Sequence, residues 1–223
     1  MASLKTPEIG AYAENRFSIQ ALSTVAVQAV YPTDKYGSYG ISFSRFGDEL
    51  YNQQHVGIGA AHKLGQFSVG AKIDIWQVAV QGYGSRKAVT LSVGGQAEIV
   101  PNLFFGAHAS NLNQARLADF EDERLPTIMK AGLGYRPYQK LYLAVETEKN
   151  IDHPADFKAG IEYLLLQEKL SLRTGFSSLT NKATAGAGFQ ARHIQVDYAF
   201  GATTLLGYSH HLSVVYKFRM EAI

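Results

Sequence analysis

The 223-residue sequence predicts an all-β fold, a transmembrane antiparallel β-barrel of about 14 strands. Three observations carry that expectation. Apolar and polar residues alternate at a period of two through most of the chain. The connections are sorted by length, short after every second segment. The charged residues share one face of a sheet too wide for side chains to fill the space it would enclose.

The last hairpin shows the pattern most cleanly. In Ile194–Phe200, Ile194, Val196, Tyr198 and Phe200 alternate with Gln195, Asp197 and Ala199. In Tyr208–Phe218, Tyr208, His210, Leu212, Val214, Tyr216 and Phe218 alternate with Ser209, His211, Ser213, Val215 and Lys217. Such a period means a pleated strand with two unlike faces. A soluble sandwich alternates too, so recurrence and connection lengths have to decide between them.

Composition narrows the class. With 21 Gly, 13 Tyr and 12 Phe against 6 Pro, an aromatic-rich all-β domain is favoured over a helical one. A net charge of +2 without a basic run gives no footprint for a phosphate backbone, so nucleic acid is excluded as a partner. The absence of cysteine removes disulfides, thiolate metal sites and thiol catalysis. No apolar run reaches the length of a membrane helix, but a spanning strand needs only about 9–11 residues. Met1–Pro7 has neither a basic n-region nor an apolar h-region, which predicts that the protein is not exported or that its beginning is missing.

The alternating segments follow in order. Ile9–Phe17 precedes Leu22–Tyr31, which stops at the turn residues Pro32–Lys35. Tyr39–Phe46 and the Gly-rich Tyr51–His62 lead through Leu64–Gln66 to Phe67–Val80. Gln81–Lys87 reads as a longer loop before Val89–Ile99. Pro101-Asn102 turns the chain into Leu103–Ser110, and Asn111–Pro126 is the longest irregular stretch. Ile128–Tyr135, Leu141–Glu148, Phe157–Leu165, Leu170–Phe176 and Ala183–Ala191 complete the run before the last hairpin. Connections after even-numbered segments are short, and those after odd-numbered ones are mostly longer and more polar. Outer-membrane barrels sort short periplasmic turns from long extracellular loops in this way, and a sandwich has no reason to.

Turning the apolar faces toward lipid leaves the other face for the lumen. Its candidate lining residues are Glu14, Arg16, Lys72, Asp74, Lys130, Glu146, Lys158, Glu162, Arg173, Asp197 and Lys217, with mixed signs that neighbouring strands can pair. Gly70, Gly94, Gly106, Gly132, Gly134, Gly160, Gly186 and Gly188 fall on the same face and relieve crowding. Tyr31, Tyr135, Phe176, Phe200, Tyr208 and Phe218, at segment ends, read as girdle residues at the bilayer interfaces. Arg116, Asp119, Glu121, Asp122, Glu123 and Arg124 are candidate extracellular-loop residues.

Ser209-His210-His211 is the one arrangement that invites a catalytic or metal reading. Neighbouring strand residues point to opposite faces, so the three cannot converge on one substrate or ion. No catalytic residue, metal site or cofactor is expected.

From Met129 to Phe218 the chain resembles the FadL-like outer-membrane barrels of the PorV/PorQ type. The matching segments are Ala131-Gly-Leu-Gly-Tyr-Arg-Pro, Leu143-Ala-Val-Glu, Phe157-Lys-Ala-Gly-Ile-Glu-Tyr and Leu172-Arg-Thr-Gly-Phe. Thr184-Ala-Gly-Ala-Gly-Phe, Gln195-Val-Asp-Tyr-Ala-Phe and Leu206–Phe218 continue the likeness, and Tyr12-Ala-Glu-Asn-Arg-Phe fits more loosely. The resemblance implies one barrel domain over 1–223, with 1–8 the remnant of a lumenal hatch. It implies a Gram-negative outer-membrane location with both termini periplasmic. It further implies passive transport of hydrophobic small molecules, with membrane lipid and a hydrophobic ligand as partners. The alternative it carries is an accessory barrel of a type IX secretion system, holding secretion-system proteins through its extracellular loops.

Overall fold

A computed structural model of the chain describes residues 1–33, 35–117, 124–204 and 206–219. It is a closed barrel of 14 antiparallel strands. They are β1 (Glu8–Asn15), β2 (Ser23–Thr33), β3 (Gly37–Gly47), β4 (Tyr51–Leu64), β5 (Phe67–Val80), β6 (Gly84–Val100) and β7 (Leu103–Ser110). The second half comprises β8 (Ile128–Tyr138), β9 (Leu141–Asn150), β10 (Asp156–Leu165), β11 (Leu170–Ser177), β12 (Lys182–Ala191), β13 (Ile194–Thr203) and β14 (Gly207–Lys217). Each strand pairs with its sequence neighbours, and β1 pairs with β14 from Glu8↔Lys217 to Asn15↔His210. Closure leaves no strand edge along the seam, which a backbone surrounded by hydrocarbon requires. No described helix is long and apolar enough to cross a membrane, and a single 3-10 turn, Gln20–Leu22, interrupts the strands.

The side chains are arranged opposite to a soluble protein. Among the described residues Pro32, Ala88 and Leu125 are the buried apolar side chains, whereas Asp74, Thr90, Ser92, Asp156, Ser171 and Ser209 are also buried. Large apolar side chains point outward. Ile41, Ile58 and Ile73 are 62%, 60% and 47% exposed and lie opposite one another across β3, β4 and β5. An interior without a hydrophobic core gives no folding force in water, so the apolar area is stabilising only where acyl chains cover it. The alternation of the last hairpin resolves the same way: Leu212 and Val214 face out, and Ser213 and Lys217 face in.

The connections are sorted by length in part. The two-residue turns all follow even-numbered strands. However, three residues join β3 to β4, β5 to β6 and β13 to β14, as many as join β2 to β3, and four join β10 to β11. Two residues separate β4 from β5, β6 from β7, β8 from β9 and β12 from β13. In the Pro101-Asn102 turn, proline pre-sets its own φ and Asn102 takes φ 67°, a left-handed conformation that Asn tolerates. β1 begins and β14 ends at this end, where the Phe218 N–H donates to Pro7 O at 2.9 Å. The long connection between β7 and β8 lies at the other end. Its base is pinned by the buried Asn111, whose amide donates to Leu125 O at 2.7 Å and whose Oδ1 accepts from the Ala115 N–H at 2.9 Å.

The structure corrects several boundaries: β1 stops at Asn15, Pro32 and Thr33 belong to β2, β8 runs on to Tyr138, and the largest change precedes β6. Gln81–Lys87 is not a loop: β6 begins at Gly84, and Ser85, Arg86 and Lys87 pair with Ala79, Val78 and Gln77. Tyr83 and Gly84 look like turn residues, but extending the β5 ladder satisfies backbone groups that a loop would leave to water.

Candidate functional site

The inward faces carry the charges, and cross-strand register decides which meet. On β9 and β10, Lys158 lies opposite Glu146, and Asp156 opposite Glu148. Lys158 Nζ contacts Glu148 Oε2 at 2.5 Å, Glu146 Oε1 at 3.6 Å and Asp156 Oδ2 at 3.8 Å. Lys130 of β8 reaches the same Glu148 oxygen at 2.8 Å. Alternating signs therefore run diagonally along three strands.

A second cluster forms on β10, β11 and β13. Glu162 lies opposite Arg173, whose Nε pairs with Glu162 Oε2. The Arg173 Nη1 reaches past Gly186 and Gly188 to Asp197 Oδ1 at 2.5 Å. Gln195 holds the other oxygen of Asp197 at 2.8 Å. The long reach requires the glycines. A Cβ on Gly188 would stand 2.1 Å from Asp197 Oδ1, so a side chain there would occupy the carboxylate's place.

Two further groups complete the wall. Lys72 Nζ meets Asp74 Oδ1 at 2.7 Å, with His55 Nε2 4.0 Å away and the His55 ring packed 4.3 Å from that of Trp76. Glu14 accepts from Arg16 Nε at 2.8 Å and lies 3.8 Å from His211, which also hydrogen-bonds the Tyr12 hydroxyl at 2.8 Å. Arg16 stands one residue beyond the end of β1 and folds back toward the interior over the Phe46 ring. Lys217 has a weaker partner, Gln190 Oε1 at 3.5 Å.

The groups separate in space. Glu162, Arg173 and Asp197 line one lumenal cavity with Tyr12, Tyr142 and His211. A second, on the β1–β6 side, is lined mostly by small or apolar groups, including Met1, Leu4, Val30, Gly40, Gly59 and Val215, with Glu8, Gln28, Lys72 and His108 among its polar lining.

Glu148 and Asp156 are absent from the residues the sequence singled out, though they anchor the first cluster. Asp156 also ties the β11–β12 connection to the wall, accepting from the Leu179 N–H at 2.9 Å and from Ser177 Oγ at 2.8 Å. Parity would have found both, since each shares its strand's inward face with Glu146 or Lys158. In the long loop, Arg116 and Arg124 form an isolated β-bridge, and Arg124 donates to Gln114 Oε1 at 3.1 Å. Asp119, Glu121, Asp122 and Glu123 lie outside the described residues. Ser209 is buried and faces inward whereas His210 faces outward against Tyr198, so they do not converge. Among the described residues no group of three His, Asp or Glu could hold a metal.

Inward glycines differ in how closely they are packed, and this yields a prediction. A Cβ on Gly132 would stand 2.7 Å from the Val145 backbone oxygen, which is fixed in the β8–β9 sheet. At Gly160 the nearest atom is 3.5 Å away, an ordinary contact. Gly132→Ala is expected to cost about 1–3 kcal/mol of folding stability. Gly160→Ala is expected to be close to neutral. Urea titration of the barrel refolded in detergent distinguishes them.

A closed barrel with an apolar exterior and a paired-charge interior is the arrangement of a membrane-embedded β-barrel. No protein-family model matches the sequence, and no curated protein matches it. Among solved structures, the fold is similar to the Pseudomonas putida toluene transporter TodX, at 10% identity and a TM-score of 0.66, covering 98% of this chain and 92% of that one. It is also similar to the Acinetobacter baumannii outer membrane protein Omp33, at 10% identity and 0.61, covering 96% and 98%. The KdgM porin follows at 9% identity and 0.55, covering 95% and 99%. At these identities the likeness is one of fold.

Proposed function

We propose that this protein is a single-domain passive channel of the Gram-negative outer membrane, conducting small molecules of hydrophobic character. On this reading the short-turn end and both termini are periplasmic and the β7–β8 loop is extracellular. We read residues 1–7, which precede β1, as the remnant of a lumenal hatch. The position of Met1 and Leu4 in the lining of the cavity on the β1–β6 side supports this, whereas Glu8 belongs to the wall.

The observation that carries the reading is how the lumen divides. Fixed charges stand in compensated groups, the clusters on β8–β13 and the Lys72–Asp74 and Glu14–Arg16 pairs. Between them, on the β1–β6 side, lies a cavity lined mostly by small and apolar groups. Compensated charge sets no strong barrier or trap for either ion sign. An apolar wall offers an uncharged solute weak contacts that it can leave. Two of the fold neighbours are by name a toluene transporter and a porin, which supports the reading. Neither the geometry nor the comparisons add support for a secretion role, and the acidic loop residues it would use lie outside the described set.

The test is flux. Proteoliposomes holding the purified barrel should take up toluene or a short-chain alcohol faster than protein-free vesicles. In planar bilayers, conductance should favour neither K⁺ nor Cl⁻ by more than a few-fold. Absence of both solute flux and conductance would overturn the channel assignment.

A further inference from the structure

The rim of the outer wall changes character around the barrel. At the end where β1 begins and β14 ends, outward aromatics such as Tyr31, Phe67, Tyr135, Tyr163, Phe189 and Tyr216 recur on most sides. At the long-loop end, β10–β14 again present aromatics: Phe157, Phe176, Phe200 and Tyr208. On β3–β6 that level is different. Arg45 pairs with Gln54, Gln54 with Gln77, and Gln77 with Lys87, so one register row crosses four strands.

The row faces outward, sharing strand parity with the layer two residues below it. That layer is Phe43, Val56, Ile75 and Val89, which are 41%, 52%, 54% and 53% exposed. Arg45, Gln54, Gln77 and Lys87 are therefore the first polar groups above the apolar band, at the depth of lipid head groups. No side-chain hydrogen bond or ion pair engages Arg45 or Lys87 among the described residues. The acidic groups above them are in the β3–β4 turn. Asp48 is occupied there, its Oδ1 accepting from the Leu50 and Tyr51 N–H groups, and Glu49 is exposed to solvent. The backbones of Arg45 and Lys87 are three strand spacings apart, about 14 Å.

We propose that Arg45, Gln54, Gln77 and Lys87 bind the head group of a phosphate-bearing lipid whose acyl chains lie on Phe43, Val56, Ile75 and Val89. The Arg45 guanidinium grips one phosphate through paired N–H donors, and the Lys87 ammonium meets another as a point charge. The Gln77 amide between them donates to sugar or glycerol oxygens, and Gln54, whose Nε2 donates one hydrogen to Asn52 Oδ1 at 3.2 Å, has its second N–H for the same use. A glycolipid with a phosphate at each end of a disaccharide fits this spacing better than a lipid with one phosphate. The proposal rests on the transmembrane fold and not on transport.

The test uses the full-length barrel in phosphatidylcholine vesicles doped with a bisphosphorylated glycolipid, re-extracted in mild detergent and weighed by native mass spectrometry. The wild type should retain the glycolipid. The R45Q/K87Q variant should retain roughly thirty-fold less, the equivalent of about 1 kcal/mol per cation near an anionic surface. Adding charge with Q54K should raise retention. The substitution K149Q should leave it unchanged, because outward Lys149 on β9 is occupied by the His153 carbonyl. Equal retention by wild type and R45Q/K87Q overturns the proposal, and so does loss of the glycolipid to competing inorganic phosphate, which would mark a general anion site. Should R45Q/K87Q fail to fold, an unchanged retention in Q54K overturns it instead.

Discussion

Leu212→Lys is expected to cost about 2–4 kcal/mol of folding stability in phosphatidylcholine vesicles, whereas Ser213→Lys, one residue along, should be tolerated within about 1 kcal/mol. Leu212 lies near the middle of β14, 46% exposed on the outward face. A lysine there must leave its ammonium in hydrocarbon or draw water and head groups inward, and at mid-depth neither is easy. Ser213 faces the lumen opposite Tyr12 and Asp197, so a lysine there finds water and a carboxylate. Denaturant titrations followed by heat-modifiable gel mobility give both values. The reverse result, with Ser213→Lys the damaging change, would turn the wall inside out and remove the basis for every lumenal assignment.

Arg173→Ala should have the second largest effect, and on two readouts. Arg173 is the cation shared by Glu162 and Asp197, whose side chains are 28% and 15% exposed. Removing it leaves two carboxylates facing one cavity, with Gln195 as a neutral partner and Lys182 as the remaining ammonium of its lining. Because these groups border the lumen, the loss is discounted from that of a dry ion pair to about 1–2 kcal/mol. Ion selectivity is the sharper signal: the variant should become several-fold more selective for K⁺ over Cl⁻, read from the reversal potential under a salt gradient. Adding Glu162→Gln and Asp197→Asn should return selectivity to the wild-type value. A reversal potential unmoved by Arg173→Ala would mean that permeating ions do not pass this cluster.

Local chemistry made part of the site legible in advance. Parity placed Glu162, Arg173 and Asp197 on one face of their strands, and it assigned Leu212 and Ser213 to opposite ones. Turn residues such as Pro101-Asn102 marked where strands end, because their backbone preferences act within a few residues. The stretch near Gly84 reads as a loop for the same reason. Gly82, Gly84 and Ser85 are locally loop-like, and only the β5 strand alongside makes Ser85–Lys87 extended.

The sequence by itself determined that the chain forms about fourteen two-faced strands, which residues share a face, and which end carries the short turns, because a pleat with a period of two is a local property. Only the tertiary structure decided that Lys158 meets Glu148, that Arg173 spans two glycines to reach Asp197, and that Arg45, Gln54, Gln77 and Lys87 fall into one row. Those contacts depend on the stagger of each strand against the next. A closed barrel sets that stagger through the joint tilt and hydrogen-bond registry of all its strands, and no single segment contains it.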